Sequence, residues 1–109
     1  MKGDVAMSQK YSFKTLVHLD LQRDKLHSCV EEYRDLLEEM INEEIQDKYG
    51  ESASANILSH VKLEVTVPCS KRFTGKDIRN IEKKYDVRFY MMPYTYGLGS
   101  DIIYWFLVG

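Results

Sequence analysis

The sequence predicts a two-layer α+β sandwich, in which two helices cover one face of a four-stranded mixed sheet in the order β-α-β-α-β-β. Three observations lead to this fold. Apolar and polar residues alternate in several short segments, which indicates strands. Two other segments carry apolar residues at helical spacing and lie between predicted strands. The chain has 109 residues, 44% of them apolar and 29% charged, which is typical of one globular domain.

The domain is expected to cover residues 11–109, after a flexible polar segment at 1–10. Its first strand is predicted at 11–21. Odd-numbered positions from Tyr11 to Leu21 are mostly apolar, whereas most even-numbered positions are polar. Because side chains alternate between the faces of a strand, this pattern predicts a strand with one buried face.

A long acidic helix is predicted over Asp24 to Tyr49, where apolar residues recur three or four positions apart. Its start stays open, because Asp24 could cap it and Ser28 with Glu31 also has the spacing of a capping box. Gly50 is a natural end, because a residue without a Cβ readily adopts the left-handed conformation that closes helices. Glu44 interrupts the apolar stripe, and Lys48 can pair with it four residues later. We therefore expect this end of the helix to lie in water or against a partner.

The second half of the chain begins with a predicted loop at 51–56, which is rich in Ser and Ala. Four elements are predicted to follow: a strand at 60–67, a helix at 74–85, and strands at 87–92 and 102–108. The last of these strands is apolar at every position, which predicts that both of its faces are covered. A long hairpin connection is expected before it.

Charge is distributed unevenly along the chain. With 15 basic and 17 acidic residues, the net charge is −2, which excludes attachment to nucleic acid by bulk charge alone. Between Asp20 and Glu51 there are eleven acidic and four basic residues. Between Lys71 and Arg88 there are seven basic and three acidic residues. The sequence therefore predicts one acidic and one basic helix surface.

The first functional hypothesis is a small non-enzymatic protein-binding module of the inhibitor or adaptor type. An acidic helix surface is complementary to a basic surface on another protein. Aromatic residues, which the C-terminal hairpin concentrates, are enriched at the centres of interfaces. The residues expected to carry this function are Glu31, Asp35, Glu38, Tyr94 and Tyr96. A homodimer also stays open as the partner arrangement.

The alternative hypothesis is a module that binds RNA or single-stranded nucleic acid. Lys76, Arg79 and Lys83 are spaced three and four residues apart, which places them on one face of the second predicted helix. Together with Arg88, they would neutralise phosphates and displace condensed counterions. Aromatic residues near the C-terminal hairpin, such as Trp105, can stack on unpaired bases.

The sequence predicts no catalytic residue, metal ligand or cofactor. His18 and Asp20 would share a face of the predicted first strand, but no other residue completes an acid–base site with them. Cys29 and Cys69 lie forty positions apart, without metal-ligand spacing. No apolar run approaches the length of about 18 to 20 residues that spans a bilayer. The first residues lack the apolar core of a secretion signal, so we expect a cytoplasmic protein without membrane contact.

Overall fold

A computed structural model of the chain describes residues 11–20, 23–59, 61–93 and 101–108. The predicted flexible segment, 1–10, lies outside the described residues. Within the described ranges, the helices are α1 (Phe13–Asp20), α2 (Arg23–Tyr49) and α3 (Gly75–Tyr85). The strands are β1 (Ser54–Ser59), β2 (Lys62–Val67), β3 (Val87–Met91) and β4 (Ile102–Val108). A turn of 3₁₀ helix, Cys69–Lys71, lies between β2 and α3.

The α+β class is confirmed, but the predicted element order and the predicted mixed sheet are wrong. The described order is α-α-β-β-α-β-β, and all neighbouring strands pair antiparallel in the order β1-β2-β4-β3. Strands β2 and β3, which α3 connects, run in the same direction. Because β4 lies between them and pairs with both, the two parallel strands are never neighbours in the sheet.

The strand predicted at 11–21 is wrong, because this segment forms α1. The hydroxyl oxygen of Ser12 accepts a hydrogen bond from the backbone N–H of Thr15 at 3.2 Å, which caps the start of the helix. Phe13 and Leu16, three residues apart, are buried against the rest of the protein. In so short a segment, apolar residues fit both the strand and the helix period. Packing against α2 therefore decides the conformation.

The loop predicted at 51–56 is wrong in its second half, because β1 begins there and forms a hairpin with β2. Ala55 and Ile57 point into the core from β1. The strand predicted at 60–67 is shorter than expected; its first residue lies outside the described residues, and Val61 is an exposed turn residue. Ser and Ala have small side chains, which allow this strand to pack closely against a helix, although such a composition is typical of loops.

The two helices predicted from apolar residues at helical spacing are confirmed. Helix α2 ends at Tyr49, and Gly50 has a φ of +104°, the left-handed conformation predicted for it. Helix α3 is capped by reciprocal hydrogen bonds, in which Thr74 Oγ1 accepts from the N–H of Asp77 and Asp77 Oδ2 accepts from the N–H of Thr74. The bond from the Thr74 backbone holds the pKa of Asp77 below its usual value. No helix in the described ranges combines the length and apolar character needed to cross a membrane.

One core fills the space between the helices and the covered face of the sheet. Helix α2 packs against α1 and β1, whereas α3 packs against β3. The deepest side chains come from every layer. They are Phe13 and Leu16 of α1, Val30, Leu37 and Ile41 of α2, Leu63, Val65 and Val67 of β2, and Tyr104 and Phe106 of β4.

The C-terminal end of α2 is held against α3, contrary to the expectation that it lies in water or against a partner. The Tyr85 hydroxyl donates a hydrogen bond to Glu44 Oε1 at 2.5 Å, and Lys84 Nζ lies 3.3 Å from the same oxygen. The Tyr49 hydroxyl donates to Asp77 Oδ1 at 3.0 Å. Burial, and then the bond to Glu44, raises the pKa of Tyr85. Glu44 is therefore paired within the chain.

Candidate binding surfaces

The acidic helix α2 covers the outer edge of the sheet at β1. The backbone N–H of Ala55 donates to Asn42 Oδ1 at 2.8 Å, and the N–H of Ile57 donates to Glu38 Oε2 at 2.7 Å. Edge-strand N–H groups without partners can pair with strands of other chains. Glu38, one of the residues predicted to bind a protein, is thus bonded to a neighbouring strand.

Of the other four residues predicted to bind a protein, two are exposed on α2 and two lie outside the described residues. Glu31 and Asp35 are exposed on α2, where Asp35 pairs with Arg34 at 3.2 Å. Tyr94 and Tyr96 lie outside the described residues. Exposed carboxylates continue along the outer face of α2, which we call the acidic face. They are Glu31, Glu32, Asp35, Glu39, Glu43 and Asp47.

The opposite edge of the sheet, at β3, is closed in the same way. Glu82 of α3 accepts a hydrogen bond at Oε2 from the backbone N–H of Phe89 at 2.8 Å. Two backbone N–H groups of β1 and one of β3 are therefore bonded to side chains of the helix that packs on each edge strand. This arrangement disfavours strand addition at these positions, which leaves the faces of the molecule as the candidate binding surfaces.

An open groove of about 610 Å³ lies between α3 and β3, and we call it the basic groove. Its lining residues are Arg79, Asn80, Glu82, Lys83, Val87 and Arg88. Three of the four residues predicted to bind nucleic acid, Arg79, Lys83 and Arg88, are thus brought together. The fourth, Lys76, is exposed on α3 outside this lining. Helical spacing places the first two, and the position of β3 beside α3 adds Arg88.

A second depression, of about 500 Å³, continues from the basic groove around the edge at β3. Both are lined by Glu82 and Arg88, and the second also by Tyr90 and Leu107. Tyr90 is 53% exposed, the largest exposure among the apolar and aromatic side chains of the described surface. The two depressions together lead from α3 to the face of the sheet that the helices leave uncovered.

This side, which none of the described helices covers and which we call the open face, corrects the prediction that β4 is buried on both sides. Along β4, buried residues alternate with partly exposed ones. The strand register places Lys62 and Arg88 on either side of Leu107. In the next row, Trp105 lies beside Glu64. The open face therefore has an apolar centre on β4 with cations on the neighbouring strands.

Trp105 is oriented on the open face by two polar neighbours. Its indole Nε1 donates a hydrogen bond to Glu64 Oε2 at 2.9 Å. The ammonium nitrogen of Lys62 lies 4.4 Å from the centre of its ring, which is a cation–π contact. Lys62 and Glu64 are not among the site residues predicted from the sequence. The alternation along β2 places them together on the open face, and the pairing with β4 then brings them to Trp105.

The structure does not assemble the acid–base pair considered from the sequence. His18 and Asp20 lie on a helix, where positions two apart are separated by about 200° around the axis, so the prediction of a shared face is wrong. Cys69 is an exposed free thiol, and the side chain of Cys29 lies outside the description. Among the described residues, no group of three His, Cys, Asp or Glu side chains forms a candidate metal centre.

Comparison with protein-family models, curated proteins and solved structures finds no match for this chain. Function is therefore inferred from the chemistry of the acidic face, the basic groove and the open face.

Proposed function

We propose that this protein binds single-stranded nucleic acid in the basic groove. The observation that carries the proposal is that Arg79, Lys83 and Arg88 line one open groove, although they come from two elements. Arginine and lysine are the residue types that neutralise phosphates. Glu82 is the one acid in this lining, and its Oε2 is bonded to a backbone N–H. The groove therefore offers a positive surface to phosphates.

The surroundings of the groove favour a single strand over a duplex. Arg88 also lines the depression that contains Tyr90, so an exposed aromatic ring lies next to the cations. Proteins that bind single strands combine a positive groove with aromatic side chains on which unpaired bases stack. A duplex keeps its bases paired and stacked, so it could not use Tyr90 in this way.

Salt-dependent binding tests the proposal. The full chain is titrated against labelled mixed-sequence RNA and single-stranded DNA at two salt concentrations, with anisotropy as the readout. We expect a Kd of about 1 to 100 µM at physiological salt. Three phosphate contacts would give a slope of log K against log salt of about −2, since each contact on a single strand contributes about −0.7.

The variant Lys83→Ala should weaken binding and reduce the magnitude of this slope by about 0.7, because it removes one phosphate contact. Lys71→Ala is the matched control, since it removes an exposed lysine outside the groove and should leave the slope unchanged. Equal effects of the two variants would contradict the proposal. An affinity that does not change between the two salt concentrations, or no binding at either, would also contradict it.

Protein binding through the acidic face, as an inhibitor or adaptor, is the second candidate function. The observation that favours it is Leu36, which is 42% exposed on α2 among the carboxylates of that face. An apolar side chain within an acidic surround suits a basic partner surface that also offers an apolar contact.

The second candidate is tested with a charge-reversed double variant, Asp35→Lys with Glu39→Lys, which leaves the bond of Glu38 to β1 intact. We expect a host protein captured by the unaltered chain at low salt to be lost with this variant. Glu51→Lys, at an exposed position after α2, is the matched control. Retention of the same captured proteins by the double variant would exclude the acidic face.

A further inference from the structure

We infer that the bases of the bound strand lie on the open face, stacked on Tyr90 and Trp105, while the basic groove holds phosphates. This inference depends on the proposed function and adds the position of the bases to it. It assigns a role to the aromatic and cationic residues of the sheet that the basic groove alone does not use.

Continuity between the two surfaces is the first support. Arg88 lines both the basic groove and the depression that contains Tyr90 and Leu107. Leu107 in turn is two residues from Trp105 on the same side of β4. Strands β3 and β4 are neighbours, about 4.8 Å apart, and Met91 next to Tyr90 pairs with Trp105. A strand leaving the groove past Arg88 therefore meets both aromatic side chains in turn.

The cations Lys62 and Arg88 of the open face favour nucleic acid as the occupant, and the carboxylate beside them, Glu64, is bonded to the indole of Trp105. Lys62 and Arg88 flank the apolar centre, and the ammonium of Lys62 lies over the ring of Trp105. The central parts of protein–protein interfaces are depleted in lysine. Aromatic rings next to cations, by contrast, are what a base and its phosphate require. Because Lys62 has a flexible side chain, a base can displace its ammonium from the ring, and the ammonium can then meet a phosphate.

Trp105 is the single tryptophan of the chain, so its fluorescence reports on the open face directly. The full chain is titrated with a mixed-sequence oligonucleotide and with an abasic oligonucleotide of the same length, and binding is followed by anisotropy and by Trp105 emission. We expect both to bind in the basic groove. Only the oligonucleotide with bases should quench Trp105, and it should bind at least about fivefold more tightly.

A variant at the second aromatic position separates stacking from charge. Tyr90→Ala should weaken binding of the oligonucleotide with bases by about fivefold or more and leave binding of the abasic one unchanged. Val61→Ala, which removes an exposed apolar side chain from the turn before β2, is the matched control and should change neither affinity.

Three results would overturn the inference, and they differ in their consequence for the proposed function. Equal affinity for both oligonucleotides, with unchanged Trp105 emission, would remove the bases from the open face and leave the basic groove as the binding site. Failure of both oligonucleotides to bind would also contradict the proposed function. Trp105 emission that changes with protein concentration alone would assign the open face to a second copy of the chain.

Discussion

The two faces of the sheet use the same strands in different ways. On the covered face, Tyr104 and Phe106 are buried, and the Tyr104 hydroxyl accepts a hydrogen bond from the N–H of Phe73 at 2.9 Å. On the open face, Trp105 lies between them in sequence but contacts Lys62 and Glu64. Successive side chains of a strand point to opposite faces, so a shift of one residue separates the core from the surface. The all-apolar sequence of β4 therefore places alternate side chains in the core and on the open face.

Alanine substitutions at adjacent positions of β4 should show the largest difference between the faces. Phe106→Ala leaves a cavity in the core and should lower the free energy of unfolding by about 3 to 5 kcal/mol. Leu107→Ala, on the open face, should cost less, about 1 to 2 kcal/mol, because its side chain is only partly buried. Urea unfolding measures both. Comparable losses would mean that the open face is packed like the core.

The edge of the covered face gives the next largest effect. Glu38→Ala removes the acceptor of the Ile57 N–H and should destabilise the protein by about 1 to 3 kcal/mol. Glu39→Ala, at an exposed position one residue further along α2, should change stability by less than about 0.5 kcal/mol. Faster hydrogen exchange at Ile57 in the first variant alone would locate the effect. Equal stability of the two variants would show that this bond contributes nothing.

A smaller effect is expected from alkaline pH, through the tyrosine that joins α3 to α2. Burial and the bond to Glu44 raise the pKa of Tyr85 in the folded protein. Its stabilising contribution is therefore complete below the unfolded-state pKa of about 10 and is lost as the pH rises above it. Each such tyrosine lowers the free energy of unfolding by about 1.4 kcal/mol per pH unit in this range.

Tyr85→Phe should reduce the slope of stability against pH above pH 10, as measured by urea unfolding at several pH values. The slope should not vanish, because burial and Asp77 also raise the pKa of Tyr49. A slope identical to that of the unaltered protein would show that Tyr85 ionises as easily in the folded state as in the unfolded one.

The smallest expected effect is at the junction between α3 and β3, which sets the position of the basic groove. Asp86 has a φ of +58°, a left-handed conformation that favours glycine, and its carboxylate lies at the negative end of the helix dipole. Asp86→Gly should raise the free energy of unfolding by about 0.5 to 1 kcal/mol. Asp86→Ala should be less stable than Asp86→Gly by thermal unfolding; the reverse order would contradict the conformational explanation.

The sequence predicted the elements whose pattern is long or strongly marked. Helix α2 has a sustained apolar stripe that is followed by Gly50, and α3 has apolar residues at helical spacing, Ile78, Ile81 and Tyr85. The segment at 13–20 is short enough to satisfy both periods, so its conformation depends on packing against α2. The segment at 54–59 has small side chains, and its role as a strand depends on pairing with β2.

The binding surfaces were predictable only as far as they lie on one element. Helical spacing placed Arg79 and Lys83 on one side of α3, as the structure shows. The addition of Arg88, and the contact of Lys62 with Trp105, depend on the insertion of β4 between β2 and β3. The strand order depends on pairing between segments that are distant in the sequence, and a local sequence pattern carries no information about it.

Mapping of backbone amide shifts during titration with a single-stranded oligonucleotide tests most directly whether the groove and the open face form one ligand surface. We expect the shifts to concentrate on the second half of α3, on β3, and on the positions of β4 that face outward, with Trp105 among the most affected. Residues 31–47 of the acidic face should stay unchanged. Shifts confined to that helix, or the absence of any shift at oligonucleotide concentrations well above about 100 µM, would contradict the account.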